Sequence, residues 1–126
     1  MQDRPTAWEL LDAVAELLEE TLMPATEGGV RHQARVAANL CRIVQREIEG
    51  GAALEAREVE LLAALLGEDR ELGAEELNRR LCDRLLAGDE SLERRAWPAL
   101  AEIVRGKLSI AKPGYDDYDY AGEQES

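Results

Sequence analysis

Residues 30–66 read VRHQARVAANLCRIVQREIEGGAALEAREVELLAALL. Ala34, Ala37, Leu40, Cys41, Val44 and Ile48 recur three and four residues apart, which predicts an amphipathic helix over about 30–49. Gly50-Gly51 is expected to stop it, because glycine is a poor helix former. A second helix is expected over about 53–66. It is apolar over a wide arc through Val59, Leu62, Ala63, Leu65 and Leu66, which suits a central position touching more than one neighbour.

Upstream, Thr6-Ala7-Trp8-Glu9 has the form of a capping box, so the first helix should begin at Thr6. Its stripe is Ala7, Leu10, Leu11, Val14, Leu18 and Leu22, and Pro24 with Gly28-Gly29 should end it. Downstream, residues 67–73 form a charged loop before a helix over about 74–87, with Leu77, Leu81, Cys82 and Leu85 inward and Gly88 as its C-cap. Residues 89–95 suit either a turn or a short helix. The last helix is expected over about 96–111, with Pro98 in its first turn and Trp97, Leu100, Ala101, Val104, Leu108 and Ala111 as its stripe. Pro113-Gly114 should break the chain, and the remaining residues are acidic and without periodicity. The expected fold is therefore all-α: one bundle of about five helices over residues 1–112, then a disordered acidic, Tyr-rich tail over 113–126.

Composition supports that class. Of 126 residues, 45% are apolar, dominated by 19 Leu and 19 Ala; Val and Ile together supply 10, and Phe is absent. Pleated strands favour β-branched and aromatic side chains, so a β-rich fold is excluded. The net charge of −12 would repel a nucleic-acid duplex or an anionic membrane surface, so neither is an expected partner. The opening Met1-Gln2-Asp3-Arg4-Pro5 and a longest strongly apolar run of only 61–66 predict neither a signal peptide nor a membrane span. Cys41 and Cys82 each fall on an apolar stripe. Two reduced, buried thiols in a cytoplasmic protein are expected, with a disulfide or reactive thiol as the alternative.

Chemistry-bearing motifs are sparse. Bundle di-metal sites use Glu-x-x-His pairs, yet His32 is the single histidine and residue 29 is Gly, so no metal or cofactor is expected. None of the few Ser and Thr lies in a nucleophile elbow, and Cys41 and His32 face nearly opposite ways on one helix. The chain is not expected to be an enzyme. A helix-turn-helix is disfavoured by the long charged link between the third and fourth helices.

One constellation stands out. His32, Arg35, Asn39, Arg42 and Arg46 follow spacings of three, four, three and four, so they share a polar face that carries no acid. Gly28-Gly29 precedes it, at a helix start whose free N–H groups favour an anion. One reading is a site for a phosphate, a carboxylate or an acidic segment, drawing on His32, Arg35, Asn39 and Arg42, with Arg35 and His32 as donors. The other, favoured by the excess of acids, pairs these arginines with carboxylates of neighbouring helices. Trp8 and Trp97 read as core-edge residues or, alternatively, interface anchors. The tail motif 115–120 reads as a solubilising segment or a short linear motif.

Several stretches also resemble an uncharacterised bacterial helical family. They are the opening residues Met1 to Ala7 with Glu9-Leu10-Leu11, and His32-x-x-Arg35-Val36-Ala37-x-Asn39. Leu77-Asn78-Arg79-x-Leu81-Cys82 and Lys107-Leu108-x-Ile110-x-x-Pro113-x-Tyr115 complete the set. The resemblance spans roughly residues 1–115. It implies a genomic setting beside, or fused to, acyl-CoA dehydrogenases and aminoglycoside-phosphotransferase-like kinases, and supplies no catalytic residue. The expected function is a non-catalytic accessory domain that docks on such a protein or self-associates as a homodimer. A small binding protein for an anionic metabolite such as a CoA thioester is the alternative. A large exposed apolar patch on the first or last helix would favour dimerisation.

Overall fold

A computed structural model describes residues 3–114, which contain helices and no strand. There are four helices among the described residues rather than about five: α1 (Ala7–Glu16), α2 (Gly28–Leu66), α3 (Gly73–Leu86) and α4 (Glu90–Ala111). From residue 115 on, the expected tail lies outside the described residues.

The capping box forms as expected. Thr6 is extended, its hydroxyl accepts from the Glu9 N–H at 3.2 Å, and the Thr6 N–H donates back to the Glu9 carboxylate at 3.3 Å. Beyond α1 the helix widens into a π turn, Leu17–Leu22, in which the Met23 N–H bonds Leu18 O. Pro24 explains the widening: it offers no N–H, and its ring would crowd the carbonyl four residues back. One further turn, Met23–Ala25, ends at extended Thr26. The Thr26 hydroxyl donates to Leu22 O at 2.6 Å, and Arg31 Nε, at 2.8 Å, joins the Thr26 N–H on Met23 O.

The expected break at Gly50-Gly51 does not occur. α2 is a single helix of 39 residues. Positive φ is found at Gly28, Gly67, Gly73, Gly88 and Gly114, but at neither of these two. A glycine inside a helix costs about 1 kcal/mol relative to Ala, a penalty and not a stop, and long periodic runs on both sides carry the ladder through. α2 ends instead at Gly67, where the Glu68 N–H reaches Ala63 O at 3.0 Å.

The chain divides into two compact units, Met1–Gly50 and Gly51–Ser126. In the first, α1 meets the opening half of α2 over small and polar side chains: Ala15, Ala34, Ala38 and Gln45 are its buried residues. The stripes expected on these helices are displaced. Leu10, Val14, Leu22, Leu40, Val44 and Ile48 are exposed, and Leu11 and Leu18 only half-buried.

The second unit has a conventional leucine core. Leu62, Leu77 and Leu92 are fully buried, joined by Ala63, Leu66, Leu81 and Ala96, with Val59, Leu65, Leu72, Leu85, Leu100 and Ile103 packed against them. A 3₁₀ turn, Arg70–Leu72, leads into α3. α3 closes at Gly88 as expected, in a Schellman arrangement: Gly88 N–H to Leu85 O at 3.1 Å and Asp89 N–H to Arg84 O at 3.3 Å.

Residues 89–95 resolve into the start of α4. The Asp89 carboxylate caps it by accepting from the Leu92 N–H at 3.0 Å, so Pro98 lies well inside the helix and not in its first turn. Pro98 and Arg94 are both exposed, which leaves the carbonyl freed by the proline to water. The earlier start shifts the phase: Leu92 and Ala96 are buried, while Trp97 is 75% and Val104 53% exposed. Cys82 is likewise exposed, not on the buried stripe; Cys41 is half-buried, and both thiols are free. α4 approaches α2 closely at Gly106, where a Cβ would lie 2.9 Å from Leu54 Cδ2.

Helix continuity at residue 50 is testable. A Cβ at Gly50 would meet nothing within 4 Å, so Gly50→Ala should stabilise the chain by about 0.5–1 kcal/mol in urea denaturation. A helix stop at this position would instead make the substitution destabilising.

Candidate functional site

The polar face of α2 separates into two groups. His32, Arg35 and Asn39 are exposed and make no hydrogen bond or ion pair among the described residues. Arg42 instead turns to α1. Its Nη1 lies 2.6 Å from Asp12 Oδ1 and its Nη2 2.7 Å from Glu19 Oε1, while Nη1 also donates to Gln45 Oε1 at 2.9 Å. The planar guanidinium suits this work, since one rigid fork can serve several acceptors at once.

The local sequence explains the clamp. Asp12 and Glu19 are seven residues apart on the first helical segment, so they fall on nearly the same face. Gln45, one turn beyond Arg42 and 4% exposed, fills the remaining space. Its amide donates to Trp8 O at 3.2 Å and reaches Asp12 Oδ1 at 3.5 Å. Trp8 is half-buried and its indole N–H donates to Glu49 Oε1 at 2.7 Å, fastening the open end of the hairpin. The Arg42 hydrogen bond is the main reason the Asp12 carboxyl is held below its ordinary range, against a smaller opposing effect of desolvation. The hydrogen bonds it donates to Glu19 and then to Asp12 push the Arg42 pKa up. Of the four residues expected to bind a ligand, one is thus an internal tie and three stay on the surface.

A second polar cluster escaped sequence reading. Glu58 is buried within the second unit; its Oε2 accepts from Asn78 Nδ2 at 3.0 Å, and Lys107 Nζ lies 3.6 Å away. Asn78 Nδ2 also donates to Ala74 O at 2.8 Å. The signal was present: Asn78 and Lys107 both belong to the stretches that carry the family resemblance. Nearby, Arg57 grips Glu102 with Nε at 2.6 Å and Nη2 at 3.2 Å, a second tie between α2 and α4.

The third feature is the outward stripe of α4, in which Trp97 and Val104 are exposed and Ala101 and Leu108 half-buried. Spacings of four, three and four place these four on one side of the helix. Among the described residues, no three His, Cys, Asp or Glu side chains converge as a metal ion requires. No helix of the described residues is long and apolar enough to cross a membrane.

The Arg42 clamp should govern the acid stability of the hairpin. A carboxyl with a depressed folded pKa contributes stability above its unfolded value, and that contribution is lost as pH falls through the depressed one. Helical circular dichroism should therefore decline below about pH 4, and Arg42→Ala should lower the thermal midpoint at neutral pH while flattening that acid limb. An unchanged acid profile in the variant would show that the clamp is not responsible.

No curated protein and no solved structure matches this chain. A family does match, over residues 24–115, and its description is "Domain of unknown function (DUF6285)". The match begins at Pro24, so Asp12 and Glu19 precede it, as does the opening stretch 1–11 of the family resemblance. Arg42, Glu58, Asn78, Trp97 and Lys107 all fall within it. With most of its length matched, the chain belongs to the DUF6285 family.

Proposed function

We propose that this chain is a non-catalytic accessory domain that docks on another protein through the outward face of α4. The observation that carries this reading is the 75% exposure of Trp97, with Val104 and Leu108 beside it on a helix whose other face is fully used by the leucine core. Tryptophan supplies a large rigid contact area and is enriched among residues that dominate binding energy. Kinase-like and acyl-CoA-dehydrogenase-like proteins, the company implied by the family resemblance, are the candidate partners. In the test, full-length chain is titrated against each purified candidate by calorimetry. Trp97→Ala should weaken a detected complex at least about thirtyfold, the equivalent of roughly 2 kcal/mol. Absence of binding to both enzymes would defeat the reading.

A second reading is favoured by one observation: in a strongly acidic protein, Arg35 and His32 have no acidic partner among the described residues. An anionic metabolite, a CoA thioester or another phosphate-bearing ligand, would find a donor pair there, with Asn39 alongside. It predicts a thermal shift of wild type with CoA, an acyl-CoA or inorganic phosphate that Arg35→Ala abolishes at unchanged helical content. A flat panel would remove it.

A further inference from the structure

The first unit inverts the usual order of a helical pair. Its buried contacts are Ala15, Ala34, Ala38 and Gln45, and no large apolar side chain is fully buried in it among the described residues. The large side chains are elsewhere. Leu10, Val14 and Leu17 follow one another by four and three on α1 and the π turn beyond it, and Val36, Leu40, Val44 and Ile48 by fours on α2; all seven are exposed, Leu10 by 54% and Leu40 by 56%.

These two rows lie on the same side of the hairpin. The pairings Trp8 with Glu49, Asp12 with Arg42 and Met23 with Arg31 make the segments antiparallel. At 100° per residue, the α1 row stands about 140° from the line of Trp8 and Ala15 that faces α2. The α2 row stands about 120°, in the same rotational sense, from the line of Ala34, Ala38 and Gln45 that faces α1. In antiparallel helices equal rotational senses place both rows on one flank, and the opposite sense places Asp12, Glu19 and Arg42 together on the other. The observed ion pairs obey that geometry.

We infer that this apolar flank is a homodimer interface, on which the hairpin of a second copy packs to complete a four-helix bundle. Seven side chains about half exposed amount to an apolar patch on the order of 500 Å², near the upper end for a monomer and, with a polar rim, close to the ~800 Å² each partner contributes to a stable interface. The spacing of four and three along α1 is the seam such bundles use. A twofold axis sets an uncharged row against its own copy and gives each hairpin the interior it lacks. Acids are few on this flank: Asp12 and Glu19 sit on the far flank beside Arg42, and Glu20 and Glu47 are the carboxylates next to the two rows, with solvent screening between copies of a chain of charge −12.

This inference goes beyond the accessory role and uses a different surface, so the two can fail separately. The test is sedimentation velocity on the full chain from low to high micromolar concentration, with Val44→Glu as the disrupting variant and Leu86→Glu, at an exposed leucine of α3 outside either face, as the control. Wild type and Leu86→Glu should sediment at twice the 14.0 kDa chain mass, and Val44→Glu should dissociate at least about a hundredfold more readily, since each copy would bury a charge. Hydrogen exchange guards against a variant that merely unfolds: in wild type, residues 10–22 and 36–48 should gain protection as concentration rises. A monomer at every concentration, or a dimer that Val44→Glu leaves intact, overturns the inference. So does a monomer whose complex with an enzyme partner is lost in Val44→Glu, which would assign the flank to that partner. A Val44→Glu-sensitive dimer that binds neither enzyme sustains the inference and defeats the accessory role.

Discussion

The continuity of α2 is the constraint on which the other elements depend. Thirty-nine residues form one helix, so the same element supplies half of the hairpin in the first unit and a core wall in the second. Two adjacent glycines lie in the middle of it. They cost the ladder roughly 1 kcal/mol apiece, and they remain helical because neither adopts positive φ. Gly67, by contrast, takes the left-handed conformation and does end the helix.

The two units then reach stability by different routes. The second buries leucines from three helices and adds polar ties at its margins, Glu58 with Asn78 and Arg57 with Glu102. The first brings backbones together over alanines and secures them with one guanidinium shared between Asp12 and Glu19. Ion pairs that water still reaches contribute modestly even when shared as a clamp, and alanines contribute little apolar area. A hairpin built this way stands at low local stability until its apolar flank is covered. That is the physical link between the clamp on one flank and the interface inferred on the other.

Helical phase separates the expected stripes from the buried ones. A stripe of large apolar residues normally marks the face a helix buries, and by that rule Leu40, Val44 and Ile48 belong inward. The structure buries Ala38 and Gln45 instead. On α4 the shift has a local cause. A helix start at residue 96 leaves out Leu92, whereas Asp89 caps the helix seven residues earlier and brings Leu92 into the core with Ala96, Leu100 and Ile103. Of the basic face, His32, Arg35 and Asn39 are exposed, and the alternative of internal pairing holds for Arg42.

Local chemistry by itself determined the all-α class, the capping box at Thr6 and the chain reversal at Gly88, because each rests on backbone propensities and hydrogen bonds within a few residues. It also placed the leucines of α3 correctly, where a clean helical period runs into the leucine core. The continuity of α2, the inward turn of Arg42 and the outward turn of Trp97 were settled only by tertiary packing. A glycine pair is a finite cost that neighbours can outweigh, an arginine takes whichever carboxylates the next helix presents, and the buried face of an amphipathic helix depends on which partner reaches it.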